Sequence, residues 1–364
     1  MEVIPSMAWG RVGCPDRSWY GAKGASMNHN PGNANTEGES ISGHSHGRLG
    51  RSLFARHRQR LKLTPVNRDP IRYFNRRTQS IEEETVYGEG FLRFAYENPL
   101  GRIALHALVK RRMFSNWYGA RMDRPKSREL IGPFIERYEI DEEEMEEPVA
   151  SFGSFNDFFY RKLKPSARPI DSDPKSLVFP ADGRHLLIPD ASKCEDFFIK
   201  GTRFDIAALI DDDELGKGYS NAAVLISRLC PVDYHRFHFP AGGIAGGPVL
   251  INGPLYSVSP IALAKRPSLL WENKRYRTVL EDDVFGRMLL FEIGATCVGT
   301  VVHTHEADQP VTKGLEKGYF RFGGSCFVTV VPAGTVTFSE DLIEHSAEGR
   351  EVYAKMGEVC ALKN

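Results

Sequence analysis

The segment Lys317-Gly318-Tyr319-Phe320-Arg321-Phe322-Gly323-Gly324-Ser325-Cys326-Phe327-Val328 constrains this chain more than any other. It alternates aromatic residues with others as a strand does, breaks at two glycines and a serine, and then resumes as a strand through Val331. Glycine admits backbone geometry closed to other residues and leaves its carbonyl uncovered. The Ser325 hydroxyl can therefore reach the Gly324 carbonyl and begin an acyl shift. Taken alone, Gly-Gly-Ser is equally an ordinary turn or bulge, so the chemistry depends on what else the chain carries.

Two other segments supply partners for such a reaction. Pro180-Ala181-Asp182-Gly183 follows the apolar run Leu177-Val178-Phe179, which places an acid where a strand meets a turn. Asp-Gly is also a common turn pair, so Asp182 reads as a turn-former as well. Asp233-Tyr234-His235-Arg236-Phe237-His238-Phe239-Pro240 follows the strand-like run Ala222 to Leu229. On a strand His235 and His238 face opposite sides, and on a helical turn the same side. Either way, an imidazole among aromatic rings suits proton transfer near neutral pH. Asp182, His238 and Ser325 thus provide an acid, a base and a hydroxyl nucleophile, a set recognised by roles rather than by chain order.

From about Tyr73 to Cys360 the sequence resembles the phosphatidylserine decarboxylase proenzymes, specifically their bacterial branch with a Gly-Gly-Ser cleavage site. The resemblance is carried by Tyr73-Phe74-Asn75-Arg76, Asn98-Pro99-Leu100-Gly101, the run Ser154 to Leu163, Pro165-Ser166-Ala167-Arg168-Pro169-Ile170, and Pro180 to Gly183. It continues through Asp233 to Phe239, Tyr256-Ser257-Val258, Gly294 to Gly299 and the Gly-Gly-Ser strand.

That resemblance implies self-cleavage between Gly324 and Ser325, with Asp182 orienting His238 and His238 taking the proton from Ser325 as it attacks the Gly324 carbonyl. It further implies that Ser325 becomes a pyruvoyl group, which forms a Schiff base with the substrate amine and accepts the electron pair left when carbon dioxide departs. No external cofactor and no metal are expected. His235 is expected to handle protons during decarboxylation. The products of cleavage, residues 1–324 and 325–364, are expected to stay together as a heterodimer or a higher oligomer of it, because the small piece has too little core to fold alone. The family commonly has Thr or Ser after the cleavage serine, and here the residue is Cys326. This change is silent, slows cleavage, or adds a second nucleophile.

The rest of the chain fits an α+β protein, with a helical N-terminal region followed by a mainly antiparallel β catalytic domain. Residues 1–66, rich in Gly, Ser, Asn, His and Arg, read as a disordered leader in which Met27 offers an alternative start. His44 and His46 there, and His303 and His305 near Glu306, are read as incidental rather than metal ligands. Residues 67–172 form the helical region. Within it, Asn98 and Pro99 predict a helix start, and apolar positions run from Leu100 to Leu108 ahead of Lys110-Arg111-Arg112. That basic end beside Met113, Phe114, Trp117 and Tyr118 suits an anionic membrane surface, a solvated helix end being the alternative. Pro133 to Glu147 reads as an acidic helical run with a solvated face, and residues 173–364 as short strands separated by Gly and Pro.

No apolar run approaches the roughly 20 residues of a spanning helix. The start of the chain lacks the layout of a signal peptide. The expected location is therefore peripheral, on the cytoplasmic face of the membrane. The six cysteines show no C-x-x-C spacing and read as reduced. A net charge of zero gives no pull toward nucleic acid. The expected partner is phosphatidylserine in an anionic membrane. Two alternatives keep parts of this reading: a pyruvoyl-dependent decarboxylase of a free amino acid, and an unprocessed homologue that binds lipid or protein.

Overall fold

The computed structural model describes residues 70–86, 89–98, 119–193, 204–295, 301–322 and 325–364. The expected leader, the helix after Asn98 with its basic end, and Gly323 and Gly324 lie outside the described residues.

Strand-forming runs rich in Val, Ile, Leu and Phe build a principal sheet of eleven strands among the described residues. Across its centre run Arg275–Asp282, Gly286–Ile293, Ser325–Val331, Ala223–Leu229, Gly183–Ile188 and Glu351–Ala354 in that spatial order, each antiparallel to the next. Two further sheets of three strands each are Val301–His303, Glu316–Phe320 and Arg236–His238, and Val336–Phe338, Val359–Lys363 and Ser176–Val178.

The central strand Ser325–Val331 is buried along its whole length because both faces of the sheet are covered. Its even-numbered residues Cys326, Val328 and Val330 join a core with Ile188, Val224, Ile226 and Phe291. Phe327 and Val331 enter a second core with Leu187, Leu225, Leu290, Phe237 and Phe320. Strand periodicity puts Ser325 on the face of Phe327, toward the sheet that carries His238.

A third core of Met122, Phe134, Phe155, Phe158 and Phe159 belongs to the short helices of residues 119–163, and Phe322 inserts into it. Ser154 caps the helix Phe155–Phe159 by accepting the Asp157 N–H, which sets the direction of that aromatic turn. Among the described residues no helix is long and apolar enough to cross a membrane.

Two local expectations change. The acidic run is not one helix: the helix Ile131–Tyr138 stops at Glu139, which takes a left-handed conformation with φ of 52°, and Glu142–Glu144 is a single 3-10 turn. Nor is its whole face solvated, since Glu144 turns inward to pair with Arg168 at 2.9 Å and Lys355 at 2.6 Å. Ahead of the helical segments, Arg72–Asn75 and Ser80–Glu83 pair with each other, and Arg72–Asn75 joins the principal sheet parallel to Glu351–Ala354.

Candidate active site

The chain passes from one sheet to another between Phe320, the last residue of a strand in the small sheet, and Ser325, the first residue of the central strand. On the near side of this crossing, the Phe322 N–H donates to Asn156 Oδ1 at 2.9 Å. Asn156 is itself held by its Nδ2 donating to Asp123 Oδ1 at 2.7 Å. The Phe322 ring stands edge-on to Phe155 at 5.2 Å and to Phe159 at 4.9 Å. On the far side Ser325 is fully buried, and its Oγ has no hydrogen-bond partner among the described residues. A buried hydroxyl without a partner is costly to leave in a fold; Thr278 and Thr329 share that state, and Ser325 is set apart from them by its place at the crossing between the sheets.

The two histidines sit on or beside Arg236–His238, which pairs with Glu316–Phe320. His235 is fully buried and packs against Phe159, ring centroids 3.9 Å apart. Its Nδ1 lies 2.9 Å from the Asp233 carbonyl oxygen, and its own carbonyl accepts the Phe320 N–H at 2.9 Å. His238 Nδ1 lies 3.0 Å from the Gly314 carbonyl oxygen. A carbonyl oxygen only accepts, so each Nδ1 carries the proton and each Nε2 presents a lone pair. Nε2 of His238 has no hydrogen-bond partner among the described residues. Burial pushes the His238 imidazolium below its usual pKa, opposed by the Gly314 carbonyl and by the charges of Glu316 and Asp182.

Asp182 occupies the bend before Gly183–Ile188. The glycine after it is required by a close approach, because a Cβ at Gly183 would lie 2.5 Å from the Arg228 backbone oxygen. The Asp182 carboxylate accepts Arg168 Nε and Nη2 at 2.8 and 2.6 Å and the Met356 N–H at 2.9 Å. Burial lowers the pKa of Arg168, but the charges and hydrogen bonds of Asp182 and Glu144 together outweigh it and raise the net value, so Arg168 and Asp182 form an ion pair. Asp182 reaches His238 by charge and through its own loop, where the His238 N–H donates to the Pro180 carbonyl at 2.7 Å. A cavity of about 480 Å³ opens beside His238, with Arg168, Tyr234, Glu316 and Met356 in its wall.

Cys326, the residue that departs from the family pattern, points into the opposite core from Ser325. Burial raises its thiol pKa, so it stays neutral on the wrong face of the strand to act as a second nucleophile. Sequence reasoning gave Arg168, Asn156 and Met356 no role. Arg168 and Asn156 lie inside the motifs Pro165 to Ile170 and Ser154 to Leu163, and that membership is the signal that could have found them.

A family model described as phosphatidylserine decarboxylase matches residues 155–361. Several curated proteins named phosphatidylserine decarboxylase proenzyme are similar to this chain. That of Fusobacterium nucleatum subsp. nucleatum is 43% identical over 293 residues, covering 80% of this chain and 98% of that protein. That of Desulfitobacterium hafniense strain Y51 is 41% identical over 294 residues, covering 81% and 99%. That of Clostridium botulinum strain Langeland is 40% identical over 288 residues, covering 79% and 98%.

Proposed function

The chain belongs to the phosphatidylserine decarboxylase family, and from that membership we propose that it is a self-processing proenzyme whose mature form converts phosphatidylserine to phosphatidylethanolamine and carbon dioxide. The observation that carries the self-processing reading is the buried Ser325 hydroxyl, without a hydrogen-bond partner among the described residues, at the crossing between the sheet with the histidines and the principal sheet.

In this reading Nε2 of His238 takes the Ser325 Oγ proton as that oxygen attacks the Gly324 carbonyl, and returns a proton to the departing Ser325 nitrogen. The peptide bond is thereby replaced by an ester between the Gly324 carbonyl and Ser325 Oγ. Loss of the Ser325 α-proton then expels the Gly324 carboxylate and leaves a dehydroalanine, and water releases its nitrogen as ammonia. Asp182 favours the protonated state of His238 during the attack by its charge. A pyruvoyl group at position 325 supplies a carbonyl for the substrate amine and a sink for the electron pair released with carbon dioxide, so no external cofactor is required. The orphaned, water-excluded hydroxyl of Ser325 fits the formation of that group. His235 handles protons during decarboxylation, with its ring orientation set by Phe159 and the Asp233 carbonyl. The mature protein works as a heterodimer of its two pieces, peripheral to the cytoplasmic face of an anionic membrane.

Intact mass of wild type beside Ser325→Ala tests this reading. Two masses breaking at Gly324, the smaller with a pyruvoyl terminus, and a whole mutant are expected. Carbon dioxide release from phosphatidylserine vesicles, and none from free serine or aromatic amino acids, assigns the substrate. An uncut, inactive wild type would sink both parts.

A further inference from the structure

Ser325 belongs to the principal sheet, while His235 and His238 belong to the sheet over it, so the reacting geometry depends on how the two sheets are registered. Contact between them includes apolar packing: Phe237 of the small sheet lies against Phe327 of the principal sheet, ring centroids 5.5 Å apart. Apolar packing resists separation but resists sliding weakly, because it is not directional.

Glu292 provides a directional tie. It stands directly opposite Phe327 in the antiparallel pair, and so projects from the face that Ser325 shares. Its carboxylate crosses to the other sheet and accepts Lys317 Nζ at 2.7 Å and His303 Nε2 at 2.9 Å. Lys317 lies on the middle strand of the small sheet, which runs directly into the Gly-Gly-Ser segment, and His303 lies on the strand beside it. The Lys317 and Glu292 side chains are both 0% exposed. His303, read from sequence as incidental, is therefore the partly exposed end of a chain of three ionisable groups whose other two members are fully buried.

Stability does not explain such a chain. Taking an ammonium and a carboxylate out of water costs several kcal/mol per ion, and apolar residues of the same volume generally hold a core at least as well. Met side chains in their place, however, would fill the space without the directional bonds that Glu292 makes from one sheet to the other.

We propose that Lys317, Glu292 and His303 form a positioning network for self-cleavage, pinning the strand that leads to the scissile bond against the sheet that carries the nucleophile. Resting on the self-cleavage reading above, this role requires the charged pair rather than its bulk. Misplacing reacting groups by about 1 Å costs up to about a hundredfold in rate.

The test follows pulse-labelled full-length chain from cell-free synthesis as it converts to pieces 1–324 and 325–364, with stability read by thermal unfolding of the same variants carrying Ser325→Ala. Glu292→Met with Lys317→Met is expected to unfold at or above the wild-type temperature, yet to cleave about 10- to 100-fold more slowly. Lys317→Arg, which keeps the charge, is expected to cleave at least about fivefold faster than the Met pair. Cleavage by the Met pair within about threefold of wild type overturns the proposal. Where the Met pair fails to fold, Glu292→Gln decides: slow cleavage in a folded chain supports the network, and a wild-type rate overturns it. A wild-type lane that never cleaves removes the self-cleavage reading and this proposal with it, and so separates the two failures.

Discussion

The Asp182 carboxylate accepts the backbone N–H of Met356 at 2.9 Å, a bond between residues on opposite sides of the Gly324–Ser325 peptide. The same carboxylate holds Arg168 through its Nε and Nη2, so one buried acid ties together the site, the motif at Pro165 to Ile170 and the C-terminal segment. Asp182→Asn keeps the shape but turns an amide toward two sets of donors and leaves the Arg168 charge without its main partner. Breaking a buried pair on one side costs about 3 kcal/mol. The expected result is a urea midpoint clearly lower for Asp182→Asn than for its parent, both in the Ser325→Ala background. Equal midpoints would show that Asp182 has no share in the fold.

The small piece should not leave after cleavage. Ser325–Val331 lies between Gly286–Ile293 and Ala223–Leu229, Glu351–Ala354 between Gly183–Ile188 and Arg72–Asn75, and Val359–Lys363 against Ser176–Val178. Arg76 adds a clamp from the large piece, donating to Asp341, Ser339 and the Val359 carbonyl. Gel filtration in native buffer should return both pieces in one peak, separable only in denaturant. Arg76→Ala should lower the stability of that complex by roughly 3 kcal/mol, the scale of charge-assisted hydrogen bonds lost from a partly buried arginine. A small piece eluting alone from the wild type would refute the woven arrangement.

Alternation and turn chemistry made the central strand and the Asp-Gly bend legible from sequence, because each is written within a few residues, whereas the histidine segment reads as either strand or helical turn and only the fold makes Arg236–His238 a strand. Pairings between separate elements, from tens to hundreds of residues apart, were not legible. Nothing local announces that Arg72–Asn75 runs parallel to Glu351–Ala354, or that Glu292 ends on Lys317 and His303. Glu144 shows the limit most clearly: in an acidic run it looks solvated, and only the fold brings Arg168 and Lys355 to it. The opposing faces of Ser325 and Cys326, by contrast, follow from strand periodicity once the strand is known to begin at Ser325.

That opposition predicts the behaviour of Cys326. Its side chain packs with Val328 and Val330 in the core away from the scissile bond. Cys326→Ala should therefore cleave within about twofold of wild type, while losing roughly 1 kcal/mol of stability to the small cavity left behind. Time courses of cleavage measured beside melting curves check both. A block in cleavage with an intact fold would mean that the thiol takes part in the chemistry after all.

Glycines at close approaches should be less forgiving. A Cβ on Gly318 would sit 2.2 Å from the Val302 carbonyl oxygen and 2.8 Å from the Phe237 ring, both in the sheet that carries His238. Neither can yield without moving that sheet off Ser325, so Gly318→Ala should fold poorly and leave the chain uncut. Gly132, inside the helix Ile131–Tyr138 with nothing within 4 Å of an added Cβ, is the matching control. Gly132→Ala should gain up to about 1 kcal/mol. Soluble yield and fragment pattern of the two variants decide, and normal cleavage by Gly318→Ala would count against the close packing of this sheet.

Acid should act on the protein twice. Burial holds the pKa of His238 below its ordinary value and that of His185 at about 3, so in both residues the unfolded chain binds protons that the folded chain refuses. Stability therefore rises with pH through the window between the folded pKa and the ordinary value near 6.5, and is lost as pH falls through that window. Urea midpoints of the Ser325→Ala chain should be level above about pH 7 and decline below it. Self-cleavage needs the lone pair on His238 Nε2, so its rate should be flat at neutral pH and fall with a midpoint below 6.5. The Asp182 charge raises that pKa in part, so Asp182→Asn should move the midpoint lower still while slowing the reaction. A midpoint at or above the ordinary histidine value would mean that the base is either solvated or a different group, and would remove His238 from the proposed step.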